Sequence, residues 1–178
     1  MKQSMRHLLL AGAAVLALPA MAAAQKRPIE FGVDAGVQFD LKSPKTTLVS
    51  FPVQTARVGF FVSDRISIEP ALSFNYVKPE GDDGTTIMQG RLSVLYHFSA
   101  DLNKPGFYIQ PLVGLSHVGG GGSSNTQFAA GGGIGFKAPV GSHMAFRLQG
   151  LYNHGFETDT IAASDVVSIL VGISFYTH

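Results

Sequence analysis

Residues 29–40 read IEFGVDAGVQFD, and the fold turns on how these twelve positions are read. Ile29, Phe31, Val33, Ala35, Val37 and Phe39 alternate with Glu30, Gly32, Asp34, Gly36, Gln38 and Asp40. Successive side chains of a strand point to opposite faces, so a period of two means a strand with one apolar and one polar face. The run is long, since strands of globular proteins usually span about five or six residues.

The pattern recurs along the chain. From residue 66, Ile66, Ile68, Leu72, Phe74 and Tyr76 alternate with Ser67, Glu69, Ala71, Ser73 and Asn75; from 88, Leu92, Val94, Tyr96 and Phe98 alternate with Gln89, Arg91, Ser93 and His97. Further segments at 128–136, 144–152 and 167–175 carry the same period, and 53–62 and 107–117 carry it less cleanly. Eight strands are predicted. The connections alternate in kind: SDR, SADLNKPG and APVGSH are turn-like, whereas DLKSPKTT, KPEGDDGTT, VGGGGSSNT and FETDTIAAS are mostly longer and more polar. Short turns at one end and longer loops at the other are the habit of outer-membrane barrels.

Charge decides which face meets lipid. Glu30, Asp34, Arg57, Glu69, Arg91, Lys137 and Arg147 all fall on the face opposite the apolar one. Lys or Arg on a lipid face near the midplane costs ~2–4 kcal/mol. The predicted barrel is therefore greasy outside and charged inside, the reverse of a soluble barrel that carries an apolar ligand. Outward aromatics gather toward strand ends, with Phe31, Phe60, Phe98, Phe107, Phe136 and Phe175 on the turn side and Phe39, Tyr76, Phe128 and Tyr152 on the loop side. Such belts match the interfacial girdles of membrane barrels. Pro52, Pro70 and Pro111 lie in the proposed strands, where each removes a ladder donor, and are read as marking bulges or strand ends.

The first 24 residues, MKQSMRHLLLAGAAVLALPAMAAA, read as a secretory signal peptide: Lys2 and Arg6 precede an apolar run, and small residues close it. The expected organisation is a cleaved signal over 1–24 and one barrel domain over 25–178. The remainder then holds eleven basic and twelve acidic residues with no basic cluster, which argues against nucleic acid as a partner. The chain has no cysteine, so it has neither disulfides nor thiolate metal sites. No run after Leu18 approaches the ~18 apolar residues of a spanning helix, so a membrane protein of this sequence must cross as a closed all-β barrel.

With these strands, the chain resembles the small outer-membrane β-barrels of Gram-negative bacteria, the OmpA-transmembrane-domain and OmpX-like proteins. The final strand carries the most specific element: Val167, Ile169, Val171, Ile173 and Phe175 look like the C-terminal signal by which such barrels are recognised for assembly. Typical members end on the aromatic, whereas this chain continues with Tyr176, Thr177 and His178. The resemblance implies an eight-stranded antiparallel up-and-down barrel, a monomer crossing the bacterial outer membrane many times with both termini periplasmic. Its implied partners are outer-membrane lipid, lipopolysaccharide and the barrel-assembly machinery, and no cofactor or metal is expected. No peptidoglycan-binding domain is expected after the barrel, so the tethering role of full-length OmpA is not carried over.

Candidate chemistry is sparse. An eight-stranded barrel has an interior just wide enough for side chains to fill. The seven near-balanced charges are therefore expected to form a salt-bridged plug, because a buried charge needs a partner. Some eight-stranded relatives are lipid A deacylases with a His-x-Ser site. The pattern occurs here as His97-Phe98-Ser99, but at the short-turn, periplasmic end, the wrong leaflet for that substrate. The acidic run Glu80-Gly81-Asp82-Asp83-Gly84 lacks the spacing of an EF-hand loop and reads as a solvated turn, and Gly119–Gly122 reads as a loop apex. Residues 129–137, AAGGGIGFK, suggest a phosphate loop, but Ala138 stands where that motif needs Ser or Thr and no helix follows. Read with period two, Gly131, Gly133 and Gly135 face the lumen beside Lys137 and are expected to leave room for Arg57, Arg91 and Arg147. The expected role is non-enzymatic, structural or surface-interactive; the alternatives are a lipid A-modifying enzyme and a narrow solute channel.

Overall fold

The computed structural model describes residues 27–42, 47–77, 85–120, 123–158 and 161–177. The expected signal peptide and the run Glu80–Gly84 lie outside them. Eight strands follow one another: β1 (Ile29–Asp40), β2 (Thr47–Phe61), β3 (Ile66–Val77), β4 (Thr85–His97), β5 (Gly106–Gly120), β6 (Ser123–Pro139), β7 (Met144–Gly155) and β8 (Ser164–Tyr176). Each pairs antiparallel with its neighbours in sequence, and β1 pairs with β8 from Glu30↔Tyr176 to Asp40↔Val166, closing the barrel. Closure removes every sheet edge, which a bilayer requires because lipid offers no partner to an unpaired backbone group. No helix of the described residues is long and apolar enough to cross a membrane.

Alternation holds along each wall. Leu72, Phe107 and Ile134 stand 64–67 % exposed on the outside, while Glu30, Ser67, Glu69, Arg147 and Ser174 are wholly buried inside. The outer rings pair at the turn end, Phe107 against Phe136 at 4.9 Å and Tyr96 against Phe98 at 5.5 Å.

Three local expectations change. Residues 118–125 form no long loop: Val118↔Asn125, Gly119↔Ser124 and Gly120↔Ser123 continue the β5–β6 ladder, leaving two residues to connect the strands. Glycine and serine carry no side-chain pattern, so period two could not register there. Pro70 and Pro111 mark neither bulges nor ends. The β2–β3 ladder skips from Arg57↔Ala71 to Phe60↔Ile68, and the β4–β5 ladder from Ser93↔Leu112 to Tyr96↔Ile109, with the register kept. On their other sides the prolines stay paired, with Leu92 and Gly132. Each missing N–H thus interrupts one ladder only. Pro52 does fall in an irregular stretch, where the β1–β2 register shifts between Asp34↔Thr55 and Gly36↔Ser50.

Candidate functional site

The structure turns all seven charged residues into the lumen. At its centre Arg57 reaches three carboxylates: Nη1 donates to Glu30 Oε1 at 2.6 Å and Glu69 Oε2 at 3.4 Å, and Nε to Asp34 Oδ2 at 2.9 Å. Arg147 clamps Glu69 with both arms, at 2.6 and 3.0 Å, and donates through Nε to the Tyr108 hydroxyl at 2.5 Å. Such a two-armed arginine–carboxylate contact is among the strongest and most directional in proteins. Lys137 Nζ donates to Glu30 Oε2 at 2.5 Å. Polar neighbours extend the shell: Ser174 Oγ donates to Glu30 at 2.7 Å, and Gln149 accepts from Arg147 at 2.8 Å while donating to Asp34 Oδ2 at 3.2 Å, which leaves Asp34 Oδ1 buried without a hydrogen-bond partner. Three carboxylates and three cations are thereby joined into one neutral, hydrogen-bonded plug.

The fourth cation is not part of it. Among the described residues Arg91 forms no ion pair, and its Nε and Nη2 are buried without a hydrogen-bond partner. It borders a polar cavity of about 320 Å³ in the loop-side half of the lumen. At the turn side, among the described residues, lies a cleft of about 20 Å³. That end is filled by aromatics which the sequence reading did not single out. His97 stacks on Phe61 at 5.2 Å, and Lys137 Nζ lies 5.4–5.9 Å from the rings of Tyr108, Phe61 and Tyr176. Their signal was available: Phe61, Tyr108 and Tyr176 sit at the lumen phase of their strands, out of step with the outward aromatics.

Glycine makes room for this filling, though with other partners than expected. A Cβ on Gly135 would strike the Tyr108 ring, one on Gly133 the Leu151 side chain and the Gly150 carbonyl, and one on Gly131 the backbone of Tyr152. Space for Arg57 comes instead from Gly32, and for Asp34 from Gly172, across the β1–β2 and β1–β8 ladders. The arginine-space role assigned to Gly131, Gly133 and Gly135 is thus corrected. The glycines facing a given side chain are set by barrel register, which one strand's sequence does not carry.

His97 and Ser99 have separate partners: the His97 Nε2 bonds Ser67 Oγ at 3.1 Å, whereas Ser99 bonds the Asp101 backbone in the turn. In that turn the Asn103 backbone N–H, with Lys104 adding, holds the exposed Asp101 carboxyl below the usual carboxylate range. A second histidine does meet an acid. His154 Nδ1 lies 2.7 Å from Asp165 Oδ1, which also accepts from Tyr152 at 2.8 Å, while Lys42 approaches Oδ2 at 3.0 Å. Among the described residues no group of three or more His, Asp or Glu is arranged to hold a metal.

The model of the outer membrane protein beta-barrel domain matches residues 8–175. The chain belongs to this outer-membrane β-barrel family. Among solved structures it is similar to Neisserial surface protein A, with a TM-score of 0.62 at 15 % identity over 83 % of this chain and 96 % of that one. It is also similar to the outer membrane protein OprG from Pseudomonas aeruginosa, with a TM-score of 0.52 at 12 % identity over 85 % and 95 %. The outer membrane enzyme PagL aligns over 80 % of this chain and 97 % of its own, at 11 % identity and a TM-score of 0.48. At these identities the likeness is one of fold. A sequence search of curated proteins matches none. As a family member the chain has the closed ladder, outward apolar wall and polar lumen that an outer-membrane barrel needs.

Proposed function

We propose that this protein is a non-enzymatic, non-conducting barrel of the bacterial outer membrane, with its termini on the periplasmic side and a structural or surface-interaction role. The observation that supports this reading is the plug: Glu30, Asp34, Arg57, Glu69, Lys137 and Arg147 bridge the lumen, and each is at most 6 % exposed. An ion passing them would have to break a network of short charge-assisted bonds in a confined, weakly screened interior. The outward apolar wall and the family support the location. Reconstitution into planar bilayers tests the reading: no sustained single-channel conductance is expected, and a steady ohmic current would reject it.

A lipid A-modifying activity is the second reading, and the pair His154–Asp165 at the loop end favours it. A histidine oriented by a carboxylate is the base half of a hydrolytic site, which still needs a nucleophile within reach. Mass spectrometry of lipid A from cells producing the protein separates the two. Unchanged acylation is expected, and loss of an acyl chain that depends on His154 would establish the enzyme.

A further inference from the structure

We propose that the loop-side half of the lumen is a binding site for a small hydroxylated carboxylate of about monosaccharide size, whose acid group is received by Arg91. The inference needs the barrel but not its non-conducting or structural role.

The charge balance comes first. Within the plug the three carboxylates are matched by Arg57, Arg147 and Lys137, so Arg91 is the surplus cation. Two of the three guanidinium nitrogens of Arg91, Nε and Nη2, are buried without a hydrogen-bond partner, a costly state that structures rarely keep unless something compensates it. The remaining carboxylate oxygen of the plug, Asp34 Oδ1, is turned against Gly172 on β8, and no carboxylate lies within ion-pairing distance of Arg91 among the described residues. Salt bridging among the described residues therefore does not account for Arg91.

The cavity comes second. Its volume of about 320 Å³ lies at the lower end of the ~300–1,000 Å³ typical of small-molecule sites. Beside Arg91, the wall includes Gln38, Ser73, Gln89, Gln127 and Asn153. Amide and hydroxyl groups both donate and accept, which suits a ligand rich in hydroxyls. Asp40, the acid among the lining residues, closes β1 at the loop end and accepts the Lys42 backbone N–H at 2.9 Å. The cavity thus has a cation deep inside and an acid at its mouth. A ligand with one carboxylate is accordingly oriented acid-first toward Arg91, whose planar fork matches a carboxylate.

The test uses the full barrel in nanodiscs of zwitterionic lipid, so that no acidic headgroup competes, followed by NMR during titration with glucuronate and, in parallel, glucose. Expected are saturable shifts of the Arg91 Nε–H and the Gly90 and Gly114 amides with glucuronate and none with glucose at the same concentration. Arg91→Gln should weaken the response at least about ten-fold, the equivalent of ~1.4 kcal/mol for a lost charged contact, and Arg91→Lys should weaken it less. Equal response to glucose, an unaltered affinity in Arg91→Gln, or no saturation by glucuronate would overturn the proposal. So would failure of Arg91→Gln to form the barrel, because that would give Arg91 a structural partner; the glucose comparison reads out in the unaltered protein whatever the variant does.

Discussion

Glu69 shows what a single lumen side chain does in this barrel. It receives both arms of Arg147 and one contact from Arg57, all three groups being fully buried. Glu69→Gln would leave Arg147 facing a neutral amide, and removing one partner of a buried pair typically costs ~3–5 kcal/mol. Urea unfolding in lipid vesicles should show a loss of that order, and a change below ~1 kcal/mol would mean that the lumen is wet enough to solvate Arg147. Gly135 makes the complementary case: its missing Cβ is the space occupied by the Tyr108 ring, so Gly135→Ala overpacks the lumen, at ~1–3 kcal/mol. Serine in place of Tyr108 should relieve much of that cost in the double variant, measured as a double-mutant cycle; strict additivity would rule out the contact. That residue 135 faces inward follows from period two alone, but that it faces a tyrosine does not.

Among the elements, β5 and β6 are the most informative. Their ladder runs from Gly106↔Lys137 to Gly120↔Ser123 and includes segments with almost no apolar residue. Backbone pairing continues through the glycine and serine residues at the outer end of this hairpin. Amides that close a ladder exchange slowly, so hydrogen exchange should find ladder-bonded amides among residues 118–120 and 123–125 protected relative to the residues joining them; uniform fast exchange would restore the long loop read from the sequence. The strand cores were legible because alternation is strong there, as at Ile29–Asp40, whose bounds match the structure. The ends were not, because glycine, serine and threonine carry no polarity signal. Pro70 and Pro111 misled for a related reason: a proline forbids one hydrogen bond, and only the neighbouring strands decide whether that bond is needed.

At the scale of the whole molecule, closure makes the barrel cooperative. Every strand is paired on both sides, so no strand can leave without exposing two edges to lipid. The protein should therefore resist detergent when cold and migrate on gels at a different position before and after boiling. An unchanged position would contradict a closed, detergent-resistant barrel. The sequence by itself determined the class of fold, the sign of each wall and the inward direction of the seven charges, because side-chain alternation is a local property of an extended backbone. It could not determine who meets whom inside. Lys137 and Glu30 stand 107 residues apart and Arg147 and Glu69 stand 78 apart, and those encounters depend on the register accumulated around eight paired strands. The same closure decided that three cations find carboxylates while Arg91 is left facing an open cavity, since the reach of a side chain across a narrow lumen is fixed only once the last strand has met the first.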